Sequence, residues 1–532
     1  MTLGPEQDEV EKVDVNRASA REQAFQVFLK EMTSALGSEA VECGIDTVKR
    51  EVGNTLGAVR TVPAILYPTN RAQIEVIVKN AARFGVKLYP ISRGRNTGYG
   101  DRSPVRHHQT VVSLERMDRI IDFDNDTGQV TVEPGVTQLQ LCNFLEAQGG
   151  TWIADVTGGP PDASIVGNTL DGGFGHTPLG NHREQILELE VVLGNGEFLR
   201  TGRFPDLGPN LAPLFVQSSF GIVTAMRLPL LRKPVCVSTY TLQFKSDDTF
   251  FLAIPRIRDL CQRGVISSPL HVANATRVFM STNDFPTDFS ASVVMSDLDC
   301  VERMRFPFFS ASQWTGIGGL YGTAKQNNQS VRFIKQEMRG LGRVQVFSDS
   351  KLKWLRRAVS VLFWIAPDKR SHMLKGLESL RAISGLCQGT PSAKPSSHIR
   401  WKTAPESEAG LIWISPVIAA GTNAAAELMQ ILRPVFNEFQ FELPITMTFI
   451  DRAHLICIVS LSFSRDNIAD RTRAHRAFRA AEKALRKASV RSYRKGIVFQ
   501  KFGIPQERMR TLRHLKNTFD PHHIISPGRY GI

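Results

Sequence analysis

Apolar residues recur along this chain at two periods, and the period divides it into helices and strands. Phe25, Phe28, Met32 and Leu36 stand at helical spacing and predict a helix over 24–36. Residues 63–68 read as a short strand, after which Thr69 or Asn70 caps a helix with Ile74, Ile77, Val78 and Ala81 on its apolar face. Residues 86–91 form an apolar run with the length of a buried strand. Residues 110–114 and 129–133 read as strands, with 124–128 as the turn between them, and Thr137 caps a helix running to 148. A hairpin is predicted over 187–193 and 197–200 around Gly194-Asn195-Gly196, and a glycine-entered strand over 220–224. Beyond Lys233-Pro234, which reads as a boundary, strands such as 238–244 and 411–418 alternate with helices such as 422–432. Both parts are α+β. Residues 1–20 are polar and read as loosely attached.

Two stretches break the periodicity. The 86–91 strand opens directly into a loop with glycines at 94, 98 and 100 and donors from Ser92, Arg93, Arg95, Asn96 and Thr97. Glycine lets the backbone bend and approach a ligand, and successive N–H groups in such a loop make an anion nest suited to a diphosphate. An ordinary strand-to-strand turn fits this stretch equally well. It is neither the nucleotide P-loop, since no Gly-Lys-Ser/Thr follows, nor the Rossmann fingerprint, since the spacing differs and no helix opens after it. The second stretch, 157–175, holds six glycines and two prolines and reads as a long irregular loop, which inside a domain is usually functional.

Composition narrows the class. A chain of 532 residues exceeds one hydrophobic core, so two or more domains are expected. No window of 18 apolar residues predicts a membrane span. The acidic start lacks the apolar core of a secretory signal, and seven scattered cysteines without a CxxC point to a reducing compartment, so a cytoplasmic location is expected. The net charge of +14 is densest over 465–495. Within that stretch Ala477, Phe478, Ala481, Ala484, Leu485 and Ala488 recur at helical spacing, so the charge reads as the solvated face of an amphipathic helix. Aromatic residues do not alternate with the basic ones, which argues against nucleic-acid binding.

Taken in order, the motifs resemble the vanillyl-alcohol oxidase and p-cresol methylhydroxylase flavoproteins. The resemblance runs over nearly the whole chain. It rests on the 92–100 loop, Val132-Glu133-Pro134-Gly135-Val136, Gly167-Asn168-Thr169, Gly173-Phe174-Gly175-His176-Thr177-Pro178, Gly221-Ile222-Val223-Thr224, Ser492-Tyr493-Arg494 and Ser526-Pro527-Gly528. It implies a two-domain α+β fold: a PCMH-type FAD-binding domain over 1–232, completed by 495–532, and an α+β cap over 233–494 that forms the substrate pocket. The implied cofactor is FAD. Ser92, Arg93, Gly94, Arg95, Asn96 and Thr97 would hold its diphosphate, with Ser164, Gly167, Asn168 and Gly173 on its other side. Ile222 and Val223 would meet the adenosine half, and Arg529 would lie against the cofactor.

In the phenol-oxidising members two tyrosines and an arginine bind the phenolate, and Tyr99, Tyr493 and Arg494 match them. A guanidinium and two phenolic donors lower a phenol's pKa by favouring its anion. Tyr99 packing on the flavin and a structural Tyr493–Arg494 pair remain alternatives. Three departures stand out. Gly158 occupies the place of the oxidases' aspartate near flavin N5, in a loop one residue longer, with Asp155 or Asp162 as possible substitutes. Leu411 occupies the position of the family's cap tether and the 92–100 loop has no histidine, so FAD is expected to be non-covalent, with His454, read as a buried cap histidine, as the fallback tether. The 201–215 segment is short, which suggests a dimer. The expected function is an FAD-dependent oxidase of a para-substituted phenol or aromatic alcohol, with dioxygen as acceptor. The alternatives are a flavin oxidase of another hydrophobic alcohol or secondary metabolite, and a catalytically degenerate FAD-binding protein.

Overall fold

The computed structural model describes residues 15–44, 53–202, 207–283, 285–286, 293–304, 312–362, 367–392, 401, 408–500 and 504–532. The fold is two-domain α+β, built on three main sheets. The first is a mixed four-stranded sheet in the order Val41–Glu42, Ile65–Leu66, Gln109–Ser113, Lys87–Ile91. Helices Val15–Leu36 and Arg71–Phe84 cover it. The apolar positions that predicted them, including Phe28, Met32, Ile74, Ile77, Val78 and Ala81, are fully buried. Asn70 is the cap: its side chain accepts from the Gln73 N–H at 3.1 Å. The first helix starts at Val15, earlier than its apolar spacing indicated, because its first turns are polar. Of residues 1–20, expected to be loosely attached, 15–20 belong to this helix and 1–14 lie outside the described residues.

The second sheet is antiparallel, in the order Ile120–Asp124, Gln129–Val132, Gly221–Pro229, Glu188–Leu193, Phe198–Arg200. The turn at 124–128 joins Gln129–Val132 to Ile120–Asp124 and not, as expected, to the strand near 110. Ile120–Asp124 escaped the sequence reading because it is an edge strand with half-exposed apolar residues and two aspartates. The 157–175 stretch is not irregular throughout. Ser164 caps a short helix, Ile165–Leu170, by accepting the Gly167 N–H at 2.8 Å.

The third sheet is the largest, in the order Gly342–Phe347, Cys236–Phe244, Trp314–Gly322, Leu270–Asn274, Ile445–Phe449, His454–Ser464, Pro416–Ala419, Arg491–Ser492, with Ala409–Ile414 also pairing to His454–Ser464. The strand expected over 411–418 is two strands broken at Ser415. Side chains alternate across each strand. Tyr240, Leu242, Phe244, Leu270, Val272, Ile445 and Met447 join one apolar core, covered by helices that include Asp247–Gln262, Thr422–Glu438 and Ile468–Lys487. The intervening Thr241, Gln243, His271, Thr446 and Thr448 face a cavity.

The C-terminal segment returns to the first sheet. Leu88 donates its N–H to the Ile524 carbonyl and accepts from the Ser526 N–H, both at 2.7 Å. A fully buried ion pair, Lys516 Nζ to Asp520 Oδ2 at 2.7 Å, locks this return, and the Asp520 carboxylate also accepts the N–H groups of Ile524 and Ile525. Asp520→Asn leaves the Lys516 charge buried without its partner. It should cost about 3–5 kcal/mol in chemical denaturation and expose the C-terminal segment to proteolysis in the native state. A variant as stable and protease-resistant as the parent would remove this lock from the account.

Candidate functional site

A cavity of about 910 Å³ lies between the first two sheets and the cap sheet. Its floor comes from the two glycine-bearing stretches. Gly98 has φ of 76°, and a Cβ there would sit 2.3 Å from the Trp413 ring, so glycine is required twice over. A Cβ on Gly167 would come within 3.0 Å of Ser92 Oγ, so the two stretches close on each other. Ser92, Arg93, Gly94, Arg95, Asn96, Thr97, Ser164, Gly167, Asn168, Gly173, Ile222, Val223 and Arg529 all line the cavity, together with Tyr99, Tyr493 and Arg494.

At one end is a charge cluster that sequence reasoning missed. The Asp171 carboxylate is buried. It pairs with Arg494 on one oxygen. On the other it accepts from Arg529 Nη2 at 3.1 Å and from the Tyr530 hydroxyl at 2.6 Å. Asn96 bridges the group, donating to Asp171 at 3.0 Å and accepting from Arg494 at 2.6 Å. Burial alone would raise the Asp171 pKa, but the two guanidinium groups and the tyrosine hydroxyl outweigh it and hold it below the usual carboxylate range. Two guanidinium charges against one carboxylate leave one positive charge over. Arg494 Nε and Arg529 Nη1 have no hydrogen-bond partner. The signal for Asp171 was present in the second glycine stretch, as a lone carboxylate between apolar and glycine positions.

The Arg494 guanidinium lies 4.1 Å from the centre of the Tyr99 ring, and the Tyr99 hydroxyl is 2.7 Å from Ser415 Oγ. The Tyr493 N–H donates to the Ser415 carbonyl at 3.0 Å, so the break in the cap strand positions both tyrosines. Burial raises the pKa of Tyr99 and Tyr493, so both hydroxyls stay protonated as donors.

Neither substitute for the missing aspartate faces the cavity. Asp155 lies behind the second glycine stretch, where it accepts the N–H groups of His176 and Thr177 at 3.0 Å and lies 3.2 Å from His182 Nε2. Asp162 is half-exposed and paired with Arg95. The fallback tether is also displaced: His454 is 55% exposed at a strand start, 3.0 Å from Asp451, and is neither buried nor part of the cavity lining. Leu411, at the tether position, is fully buried against Gly98.

Two imidazoles do line the cavity. His176 and His271 pack with ring centres 4.4 Å apart, and His271 Nδ1 is 3.0 Å from Thr448 Oγ1. His176 Nδ1 and His271 Nε2 have no hydrogen-bond partner. Burial pushes His176 down to about 4 and His271 well below its ordinary value, so both are neutral at pH 7.

The donor set suits FAD. A glycine-bearing loop with free main-chain room, a second loop closing on it, and unpartnered guanidinium nitrogens can meet the diphosphate and the electron-poor ring. Residues 62–202 match the family model described as an FAD binding domain. The chain is 28% identical to 1'-carboxy-chondrochloren decarboxylase of Chondromyces crocatus over 505 residues, 90% of this chain and 92% of that one. It is 23% identical to the 4-cresol dehydrogenase (hydroxylating) flavoprotein subunit of Pseudomonas putida over 88% of each chain. A crystal structure of p-cresol methylhydroxylase with substrate bound superposes with a TM-score of 0.85 at 21% identity, covering 96% of this chain and 97% of that one. Over most of its length the chain is thus similar in sequence to these two proteins and in fold to p-cresol methylhydroxylase, and it carries an FAD-binding domain. It is an FAD-dependent oxidoreductase. Among the described residues of this flavoprotein, no helix is long and apolar enough to cross a membrane, and no His/Cys/Asp/Glu cluster could hold a metal ion.

The imidazole pair makes stability depend on pH. The unfolded chain protonates His176 near pH 6.5 and the folded flavoprotein only near 4. Between these values the unfolded state binds more protons, so stability falls as pH falls through this window. Thermal unfolding from pH 7 to 4.5 should lower Tm less steeply for His176→Phe than for the parent. Parallel profiles would mean that His176 is not held neutral.

Proposed function

We propose that this flavoprotein oxidises a phenol bearing a para side chain, bound as its phenolate by Tyr99, Tyr493 and Arg494. The observation that carries this reading is the uncompensated guanidinium charge beside two buried, protonated tyrosine hydroxyls at one end of the cavity. The name of one long relative, a hydroxylating 4-cresol dehydrogenase, supports oxidation of such a phenol. In this proposal residues 1–232 and 495–532 hold the cofactor and 233–494 form the cap. The first loop, 92–97, takes the diphosphate, Ser164, Gly167, Asn168 and Gly173 face the cofactor from the other side, and Ile222 and Val223 meet the adenosine half. Arg529 would lie against the cofactor.

When bound, FAD would supply the two-electron acceptor for a hydride from the benzylic carbon attached at the para position. The protein's part is electrostatic. Arg494 offers its charge to the phenolate while Asp171 and Asn96 fix its plane, so the cation is aimed without rearrangement. Tyr99 donates to the phenolate while Ser415 orients its hydroxyl. With the phenol ionised, its oxygen releases electron density through the ring, which favours departure of hydride from that benzylic carbon and leaves a p-quinone methide. No carboxylate lining the cavity is free to act as a base, since Asp101 is engaged by Thr55 and Asp171 by its arginines. His176 and His271 are among the polar groups that can orient water, and being neutral and weakly basic they act as hydrogen-bonding partners. The proposal includes non-covalent FAD, consistent with Leu411 at the tether position, along with dioxygen as acceptor and a homodimer.

Anaerobic addition of 4-alkylphenols should bleach the visible flavin band, and a panel without bleaching would overturn the phenol reading. Acid precipitation should leave the yellow colour in solution, whereas a yellow pellet would show a covalent bond. Arg494→Gln should keep FAD and fold, because Arg529 still compensates Asp171, and should weaken phenol binding by roughly 3 kcal/mol. Unchanged affinity would exclude Arg494 from the clamp.

A further inference from the structure

A further cation lines the cavity, far from the clamp in sequence and not used by it. Arg277 lies in the first turn of helix Ala275–Thr282, which begins where the cap strand Leu270–Asn274 ends. Its main-chain N–H is taken by the Asn274 cap at 3.1 Å. Its guanidinium sits 5.3 Å from the centre of the Trp413 ring, with Nη1 3.4 Å from Ser460 Oγ. Among the described residues no carboxylate pairs with it. Arg277 and Trp413 both line the cavity.

This placement is costly. Burial lowers the Arg277 pKa to about 10, with no compensating acid. A cation in the first turn also opposes the helix dipole. Charges removed from water are normally paired, so a guanidinium that faces a cavity without a partner marks a place for an anion. Trp413 sets where that place is. Its Nε1 donates to the Thr97 carbonyl at 2.9 Å, which fixes the ring against the first glycine loop, and it stands two positions before Ser415 on the cap strand. Ser415 is the partner of the Tyr99 hydroxyl, so the segment that carries the Arg277 neighbour also carries the clamp's support, and Arg277 and the clamp line the same cavity.

We propose that Arg277 binds a carboxylate on the para side chain of the substrate, so that the protein acts on phenols whose side chain ends in an anion. This rests on the phenol reading above and narrows it. The Trp413 face completes the site by holding the guanidinium flat.

The test uses FAD-loaded protein and ligands that lack a benzylic hydrogen and so cannot be oxidised. 2-(4-Hydroxyphenyl)-2-methylpropanoate carries both anions. 4-tert-Butylphenol replaces its carboxylate with a methyl group, and 2-methyl-2-phenylpropanoate lacks its hydroxyl. Titration calorimetry should give the hydroxylated acid at least tenfold tighter binding than 4-tert-butylphenol. Arg277→Met should bring the two within twofold by weakening the acid alone, with FAD content and the flavin spectrum unchanged, and Arg277→Lys should restore part of the preference. No preference in the parent overturns the proposal, as does a preference that survives Arg277→Met. A substitution that strips FAD or shifts the flavin spectrum without ligand also overturns it, by assigning Arg277 to the cofactor. Failure of the phenol reading has a different signature: the two acids would bind equally, with Arg277 still required for both.

Discussion

A buried carboxylate between two guanidinium groups ties this molecule together. Asp171 draws on four separate stretches of chain: Asn96 in the first glycine loop, Asp171 itself in the second, Arg494 at the end of the cap, and Arg529 with Tyr530 at the C-terminus. Taking these charges out of water is expensive, and only close pairing with full hydrogen bonding offsets it. The arrangement is therefore stable only when all four segments are in place. Its stoichiometry then leaves one positive charge and two unsatisfied donor nitrogens. The same cluster that closes the fold thus prepares one end of the cavity for an anion.

The cap sheet contributes by having two unlike faces. One side of each strand carries large apolar residues into the helices behind it, and the other carries threonine, glutamine and histidine into the cavity. These groups are neutral, so the roof can bind and orient without competing for charge. Arg277 is the exception, and it is the one cation there whose desolvation nothing in the described protein offsets.

The chemistry follows from what the cavity lacks as much as from what it holds. Both carboxylates that line it are engaged, and its two imidazoles are held neutral by burial. In the proposed reaction, activation of a substrate would depend on fixed charge and oriented donors more than on proton removal by a strong base. That places the burden on Arg494 and the tyrosines, whose positions depend in turn on Asp171 and on the strand break at Ser415.

By itself the sequence determined most of the local elements and the family resemblance. Spacing of Ile74, Ile77, Val78 and Ala81 is enough to make a helix with one buried face, and the two glycine stretches announce places where backbone must approach something closely. The Tyr493–Arg494 pair and the first loop were legible because motif order is a property of the chain. Tertiary structure alone decided the rest. A lone aspartate in a glycine-rich segment reads the same whether it is solvated or clamped, so Asp171 became visible only when residues more than 300 positions away met it. Asp155, Asp162 and His454 failed as site residues for the converse reason: proximity in a motif does not say which way a side chain points. Arg277 looked like any helical arginine. Charge acquires meaning from the dielectric and the partners around it, and those are set by packing between segments that the linear order does not bring together.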